Sequence, residues 1–156
     1  MSLNRMDTLT LDFYTSHHQF YIADKTSPFR TDSAEFWTKQ ANEDKLAIEE
    51  GLLGIGTECF GPVKGDLQVL NSIPEEEDFS SYDHVVEGSL SLASGILQIF
   101  GCFDDEPTIE LKLPPVTYRV RIYSSNLASV DGDAGDDYYR VRLWPDNYLQ
   151  RCVLKR

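Results

Sequence analysis

The sequence lacks the features of a membrane-spanning or exported chain. No run approaches the roughly 18–20 apolar residues that a spanning helix needs, and segment 1–6 has no apolar signal-peptide core. We therefore expect a cytoplasmic protein without membrane contact. We expect its 156 residues to form a single domain, 1–156, because a chain of this length builds one core. Segment 1–6 is expected to be disordered or derived from cloning.

Cysteine and histidine are scarce. The 3 cysteines, Cys59, Cys102 and Cys152, are odd in number and lack metal-ligand spacing, so we expect buried free thiols. His17 and His18 are adjacent, and adjacent residues on a strand point to opposite faces and cannot readily chelate one ion. We interpret them as turn or surface residues. Because no spacing marks a nucleophile and its base, we predict no catalytic residues, no metal and no cofactor.

Basic residues are outnumbered by acids. Lys and Arg total 14 against 26 Asp and Glu, a formal net charge of −12. Residues 1–117 carry 21 acids and 7 bases, a net of −14, whereas residues 118–156 carry 5 acids and 7 bases, a net of +2. A field this negative repels nucleic acid and favours basic partners. Solubility alone is the other interpretation of the charge.

The strongest positive signal lies at 114–145. Runs 118–123 and 139–143 alternate apolar and charged residues with the period of half-buried strands, and the polar loop 124–137 joins them. We predict a hairpin with an apolar face and an arginine face. These faces comprise Val120, Ile122, Val141 and Leu143, and Arg119, Arg121, Arg140 and Arg142. Because opposed like charges destabilise a sheet, we expect carboxylates such as Glu110 among the arginines, with a bound anion as the alternative.

Two loops resemble ion or phosphate sites but fail on their spacing. Starting an EF-hand at Asp131 would place Gly135 and Arg142 where the motif needs acids, so we predict a solvated turn at 131–137. The glycine-rich stretch 51–61 has no terminal Gly-Lys-Ser/Thr. We interpret its glycines as bends in a strand.

The rest of the chain is dominated by short strand patterns. They cover 7–16, 18–24, 66–71, 82–92, 96–103, 108–113 and the tail 148–154. A tight antiparallel turn is expected between the first two, and the apolar run 96–103 indicates a central strand buried on both faces. One helix is predicted over 37–51, capped by Thr38, with Trp37 packing it onto a sheet. Eight or nine strands and a helix predict a mostly-β fold, an antiparallel β-sandwich with one α-helix.

Several segments are similar to one known family. They are the strand-like Tyr14–Phe20, the helix start Trp37-Thr38 with Ala41, Ala47 and Gly51, and in the closing hairpin Tyr118 and the step from Asp137 to Tyr139. On these segments the chain resembles the competence protein J family, small bacterial inhibitors of a DNA-entry nuclease. The resemblance implies a fold and a protein partner. The long loop 124–137 and the tail 144–156 depart from the family pattern.

We therefore predict a non-enzymatic acidic protein-binding domain, an intracellular nuclease inhibitor or immunity-type protein whose carboxylates occupy a basic DNA cleft. The expected partner-binding acids lie in two exposed loops: Glu75, Glu76, Glu77, Asp78, Asp104, Asp105 and Glu106. One alternative is a β-sandwich module that binds a small molecule or carbohydrate through exposed aromatics such as Trp37 and Trp144. The other is an enzyme, which a pocket with convergent titratable groups would indicate.

Overall fold

A computed structural model describes residues 8–28 and 35–156 of the chain. The expectation for segment 1–6 lies outside the described residues. The strands are β1 Thr8–Tyr14, β2 Gln19–Asp24, β3 Leu46–Glu49, β4 Leu52–Gly56, β5 Pro62–Val69, β6 His84–Ser91, β7 Ile96–Gly101, β8 Ile109–Lys112, β9 Thr117–Ser125, β10 Tyr138–Pro145 and β11 Cys152–Lys155. The α-helix α1 spans Lys39–Asp44, and a 3₁₀ turn spans Leu127–Ser129.

The strands form two sheets that pack face to face around one main core. The six-stranded sheet has the order β1-β5-β10-β9-β6-β11, and the five-stranded sheet has the order β3-β4-β2-β7-β8. Apolar side chains from both sheets fill the space between them, which confirms the predicted sandwich. β5 and β10 run parallel, a departure from the antiparallel pattern of the other pairs among the described residues.

The predicted hairpin and its register are confirmed. β9 and β10 pair so that Val120 lies opposite Leu143 and Ile122 opposite Val141. All four side chains are at most 1% exposed and belong to the main core. A slip of one residue would have turned the arginines into that core. The arginines instead occupy the outer face, and other parts of the chain cover them there.

The predicted helix is too long. Thr38 does cap it, since its hydroxyl oxygen accepts a hydrogen bond from the Ala41 amide at 3.0 Å. The helix nevertheless ends at Asp44, because Lys45 adopts a left-handed conformation with φ 60°. The next residues form β3, which pairs with β4 around Gly51, itself at φ 69°. Strand β3 forms because its two faces contact different clusters, Leu46 the main core and Ala47 the cluster beneath α1.

The tight turn between the first two strands is confirmed, but it joins different sheets. Ser16 bridges to Gln19 across His17 and His18, which have φ 57° and 60°. Beyond that bridge β1 pairs with β5, whereas β2 pairs with β4 and β7. The turn therefore holds both histidines at one end of the sandwich.

Strand β7 is shorter than predicted, and the burial predicted for one cysteine is wrong. β7 ends at Gly101, and Phe103, expected within the buried run, is 78% exposed. Cys59 and Cys102 are buried free thiols as predicted, whereas Cys152 is exposed because it lies on β11 at the edge of its sheet. Within 8–28 and 35–156, no helix has the length and apolarity to cross a membrane.

Candidate functional site

The first predicted acidic loop lies on the outer face of the six-stranded sheet. Residues 70–83, called the strap below, connect β5 to β6 across the arginine face. The Glu77 carboxylate accepts hydrogen bonds from Arg121, from Arg142 at 2.9 Å and from the Tyr123 hydroxyl. The Glu77 side chain is only 15% exposed, so the expected exposure of the whole run is wrong at this residue. Glu75, Glu76 and Asp78 are exposed.

The arginine face is an internal ion-pair network. Glu87 accepts from the Nε of Arg119 at 3.1 Å and from the Nε of Arg121 at 2.7 Å. Arg140 pairs with Asp66 at 3.3 Å. Burial opposes the charge of Arg121, but the hydrogen bond and charge of Glu87 outweigh it and raise the pKa of the guanidinium.

These pairings replace the partner that the sequence suggested. Glu110 lies on β8 of the other sheet, where it accepts a hydrogen bond from Gln98 at 2.9 Å and pairs with Lys25 at 3.7 Å. With Glu77, Glu87 and Asp66 in place, each arginine of the hairpin has a carboxylate partner. These ion pairs therefore stabilise the fold, and the arginines that a bound anion would need are already paired.

The second predicted acidic loop connects β7 to β8 at an end of the sandwich. Asp104, Asp105 and Glu106 are exposed, and the Asp104 carboxylate also accepts from the Gly101 amide at 3.1 Å. Phe103, directly before them, is 78% exposed. This loop therefore presents an aromatic ring next to three carboxylates.

Phe103 belongs to a cluster that the sequence analysis did not foresee. The aromatic tip, as we call it, comprises His17, His18, Phe60 and Phe103 from three different connections. The ring centroid of His17 lies 5.1 Å from that of Phe103 and 5.3 Å from that of Phe60, and His18 lies 5.3 Å from Phe60. Phe60 is 41% exposed and both histidines are exposed, so the cluster faces solvent.

The backbone of the aromatic tip is strained. His17, His18 and Phe103 have φ of 57°, 60° and 65°, a left-handed region that non-glycine residues rarely adopt. They are three of the five such residues in the described part of the chain. Strained residues persist where the surrounding structure fixes them, and they cluster at functional sites.

Acidic residues from two loops adjoin the aromatic tip. Asp104, Asp105 and Glu106 follow Phe103 along the chain, and the exposed loop 131–136 lies next to Phe60. The Phe60 amide donates to the Gly132 carbonyl at 3.2 Å, and Asp133 lines a shallow depression with His18 and Phe60. The predicted solvated turn is thus confirmed over 131–136, whereas Asp137 is buried and accepts from the Tyr139 hydroxyl at 2.6 Å.

A small cleft lies beside the aromatic tip. Its volume is about 250 Å³, and it is lined by His17, His18, Gln19, Trp37, Asn42, Lys45, Gly56 and Thr57. Trp37 is half-buried: its indole N–H donates to the Tyr21 hydroxyl at 3.1 Å, and its ring lies 5.6 Å from that of Phe36. Trp37 therefore packs against the sheet, as predicted, and still borders the cleft. Trp144 is fully buried and cannot serve as a ligand platform.

Metal-binding chemistry finds no support in the part of the chain that the structure describes. Within it, no three His, Cys, Asp or Glu side chains are grouped as a metal ion requires.

Comparison with known proteins identifies two solved structures with a similar fold. No family model matches the chain, and neither does any curated protein sequence. A crystal structure of ComJ from Bacillus subtilis, described as an inhibitor of the DNA-degrading activity of NucA, matches with a TM-score of 0.65 and 18% identity over 88% of this chain and 96% of that one. The protein described as crocagin biosynthetic gene J matches with a TM-score of 0.56 and 20% identity over 90% of this chain and 98% of that one. The chain therefore has the fold of ComJ, which confirms the resemblance seen in the sequence at the level of the fold.

Proposed function

We propose that the chain is a non-enzymatic protein-binding domain of the bacterial cytoplasm that inhibits a nuclease, as an intracellular inhibitor or immunity-type protein. The observation that carries the proposal is the fold shared with ComJ over nearly the whole of both chains. The formal net charge of −12 supports it, because a nuclease holds a polyanion and needs a basic surface to do so.

The inhibitor would act by presenting carboxylates to the basic surface of the nuclease that binds DNA phosphates. Exposed acids are available on the strap, at Glu75, Glu76 and Asp78, and beside the aromatic tip, at 104–106. Glu77 would contribute indirectly, because its bonds to Arg121 and Arg142 hold the strap in place. Long-range attraction would speed association and make it sensitive to salt.

The test combines the purified chain with DNA-degrading nucleases of its own organism and follows DNA cleavage as the salt concentration rises. We expect stoichiometric inhibition, with an association rate that falls steeply as salt screens the charges. Absence of inhibition at every salt concentration would reject the proposal. Inhibition that is indifferent to salt would retain the inhibitor and reject the electrostatic mechanism.

A small-molecule module remains the second candidate, because polar groups of Asn42, Lys45 and Thr57 line the cleft beside Trp37. At about 250 Å³ the cleft falls below the roughly 300–1,000 Å³ of most ligand pockets. Since Trp144 is fully buried, a change in tryptophan fluorescence during a sugar or metabolite titration would report on Trp37, which borders the cleft. An unchanged spectrum throughout would reject this candidate.

A further inference from the structure

We infer that the partner docks on the aromatic tip and its carboxylate rim, which comprises Asp104, Asp105, Glu106 and Asp133, and that the strap is not the docking surface. The partner that fits this surface is a basic protein presenting arginine side chains. This inference rests on the proposed function and specifies which of the two acidic loops performs it.

The first support is exposed aromatic surface that the fold does not use. Phe103 is 78% exposed and Phe60 41% exposed, and Tyr14, whose ring lies beside Gly61, is 78% exposed. Contiguous exposed aromatics mark interaction sites on soluble proteins. Binding energy concentrates on such anchors when a partner covers them.

The second support is the charge around those rings. Asp104, Asp105 and Glu106 adjoin Phe103, and Asp133 borders the depression beside Phe60. An arginine can stack its planar guanidinium on an aromatic ring while it donates to a carboxylate, which suits it better than lysine to this combination. On the strap, by contrast, the Glu77 carboxylate is already bound by two arginines of the same chain.

The third support is the rigidity of the aromatic tip. The Thr15 amide donates to the Gly61 carbonyl at 2.8 Å, and the Thr57 amide to the His18 carbonyl at 2.8 Å. The Cys102 amide donates to the Thr15 hydroxyl at 2.6 Å. These bonds link the three connections that carry the rings. A surface fixed before binding loses less entropy when a partner docks.

A second copy of the chain is a poor occupant of this surface. A two-fold contact would place the same patch on both sides and bring two rims of carboxylates together. Like charges facing each other across an interface oppose association, and the net charge of −12 adds to that repulsion. A basic protein would place positive charges opposite these carboxylates, so this repulsion would not arise.

The experiment measures the dissociation constant for the nuclease that the unaltered chain inhibits, using matched variants on the aromatic tip and on the strap. Phe103→Gly should weaken binding about 10-fold or more, as loss of an aromatic anchor does. Ile73→Ala is the matched control, because Ile73 is a strap residue that is 56% exposed. That control should bind within about 2-fold of the unaltered chain, as most peripheral contacts do.

A second pair of variants tests the charges. Asp105→Asn with Glu106→Gln should slow association several-fold at low salt, while Glu75→Gln with Glu76→Gln should change it much less. Melting curves establish that each variant folds, and Phe103→Asn replaces Phe103→Gly if the latter does not, because asparagine tolerates a left-handed conformation.

The outcomes separate the inference from the function it rests on. If the unaltered chain inhibits the nuclease but the strap pair slows association more than the tip pair, or Phe103→Gly binds unchanged, the docking surface is wrong and the inhibitor stands. If sedimentation shows a dimer that Phe103→Gly abolishes, the occupant is a second copy and the inference fails. If the unaltered chain inhibits nothing, the proposed function fails and the inference with it.

Discussion

The strap and the aromatic tip combine the same kinds of residue and use them in opposite ways. On the strap, the Tyr82 ring lies 5.0 Å from that of Tyr123, Arg121 lies over the Phe79 ring at 5.8 Å, and Glu77 accepts from both Arg121 and Tyr123. At the aromatic tip, Phe103 and the acids after it face solvent. The difference is the arginine face beneath the strap. Glu77, opposite buried arginines, stabilises the fold, whereas Asp105 and Glu106, next to an exposed ring, remain open to solvent.

Glu77→Gln should have the largest effect among the charge substitutions, because it removes the carboxylate that the arginines beneath the strap bind. Removing the charge leaves Arg121 and Arg142 with fewer acceptors in a mostly buried network, and breaking such a pair costs roughly 3 kcal/mol or more. Urea unfolding measures the change. Glu76→Gln is the matched control and should stay within about 0.5 kcal/mol, since Glu76 is exposed. Equal effects for the two variants would show that Glu77 does not hold the strap.

Trp37→Ala tests how much a partly covered aromatic side chain contributes to the stability of the fold. Loss of a fully buried Trp or Phe costs roughly 3–5 kcal/mol, and because Trp37 is half-buried we expect about 2 kcal/mol. Phe36→Ala is the comparison, since Phe36 is 2% exposed in the same cluster and should reach the full range. Thermal melts of the two variants measure the difference, and a Trp37 variant that melts unchanged would reject the packing role and favour the ligand-platform alternative.

Lowering the pH should reduce the free energy of unfolding through His84, the first residue of β6. His84 is 5% exposed; burial lowers its pKa, while the hydrogen bond to the Asp44 carbonyl opposes that change in part. The neutral ring in the folded state means that the unfolded state binds more protons below its ordinary pKa of 6.5. The stability contributed by neutral His84 is therefore present above that pH and lost as the pH falls.

Urea unfolding between about pH 7 and pH 5 tests this contribution, in the window where histidine titrates. His84→Gln should flatten the pH dependence while lowering stability at neutral pH. The acids whose pKa is lowered, Asp24, Asp44, Asp78 and Glu110, titrate below their ordinary values of 3.8 and 4.5 and leave this window unaffected. A pH dependence that is the same in the variant and the unaltered chain would exclude His84 as its source.

Phe103→Gly should change stability least among the substitutions of aromatic residues. The ring is 78% exposed and so contributes little buried area, and its φ of 65° suits glycine better than phenylalanine. Relief of that strain and the greater freedom of glycine in the unfolded chain offset each other, so we expect a change within about 1 kcal/mol. A loss as large as that of Phe36→Ala would mean that the aromatic tip is part of the core.

The hairpin could be predicted from the sequence because its signal is local. The alternation of apolar and charged residues at 118–123 and 139–143 indicates which side chains face the core, and the register of the hairpin follows from it. The helix prediction failed beyond Asp44 because apolar spacing in residues 45–52 fits a helix and a two-faced strand equally well. The left-handed Lys45 that decides between them carries no clear sequence signal.

The candidate site could be predicted only in part. Asp104, Asp105 and Glu106 were found as a charged run, but Phe103 was assigned to the buried strand before them. The aromatic tip brings together residues 17–18, 60 and 103, and only the fold places them side by side. Glu77 looked like its neighbours because its partner Arg121 lies 44 residues away. An aromatic residue immediately before an acidic run was the one available signal.

Hydrogen–deuterium exchange of the chain with and without the nuclease tests the central claim most directly. We predict slower exchange in the complex at the amides of 15–18, 57–61 and 102–106, with the amides of strap residues 72–78 unchanged. Protection confined to the strap, with no change at the aromatic tip, would contradict the account.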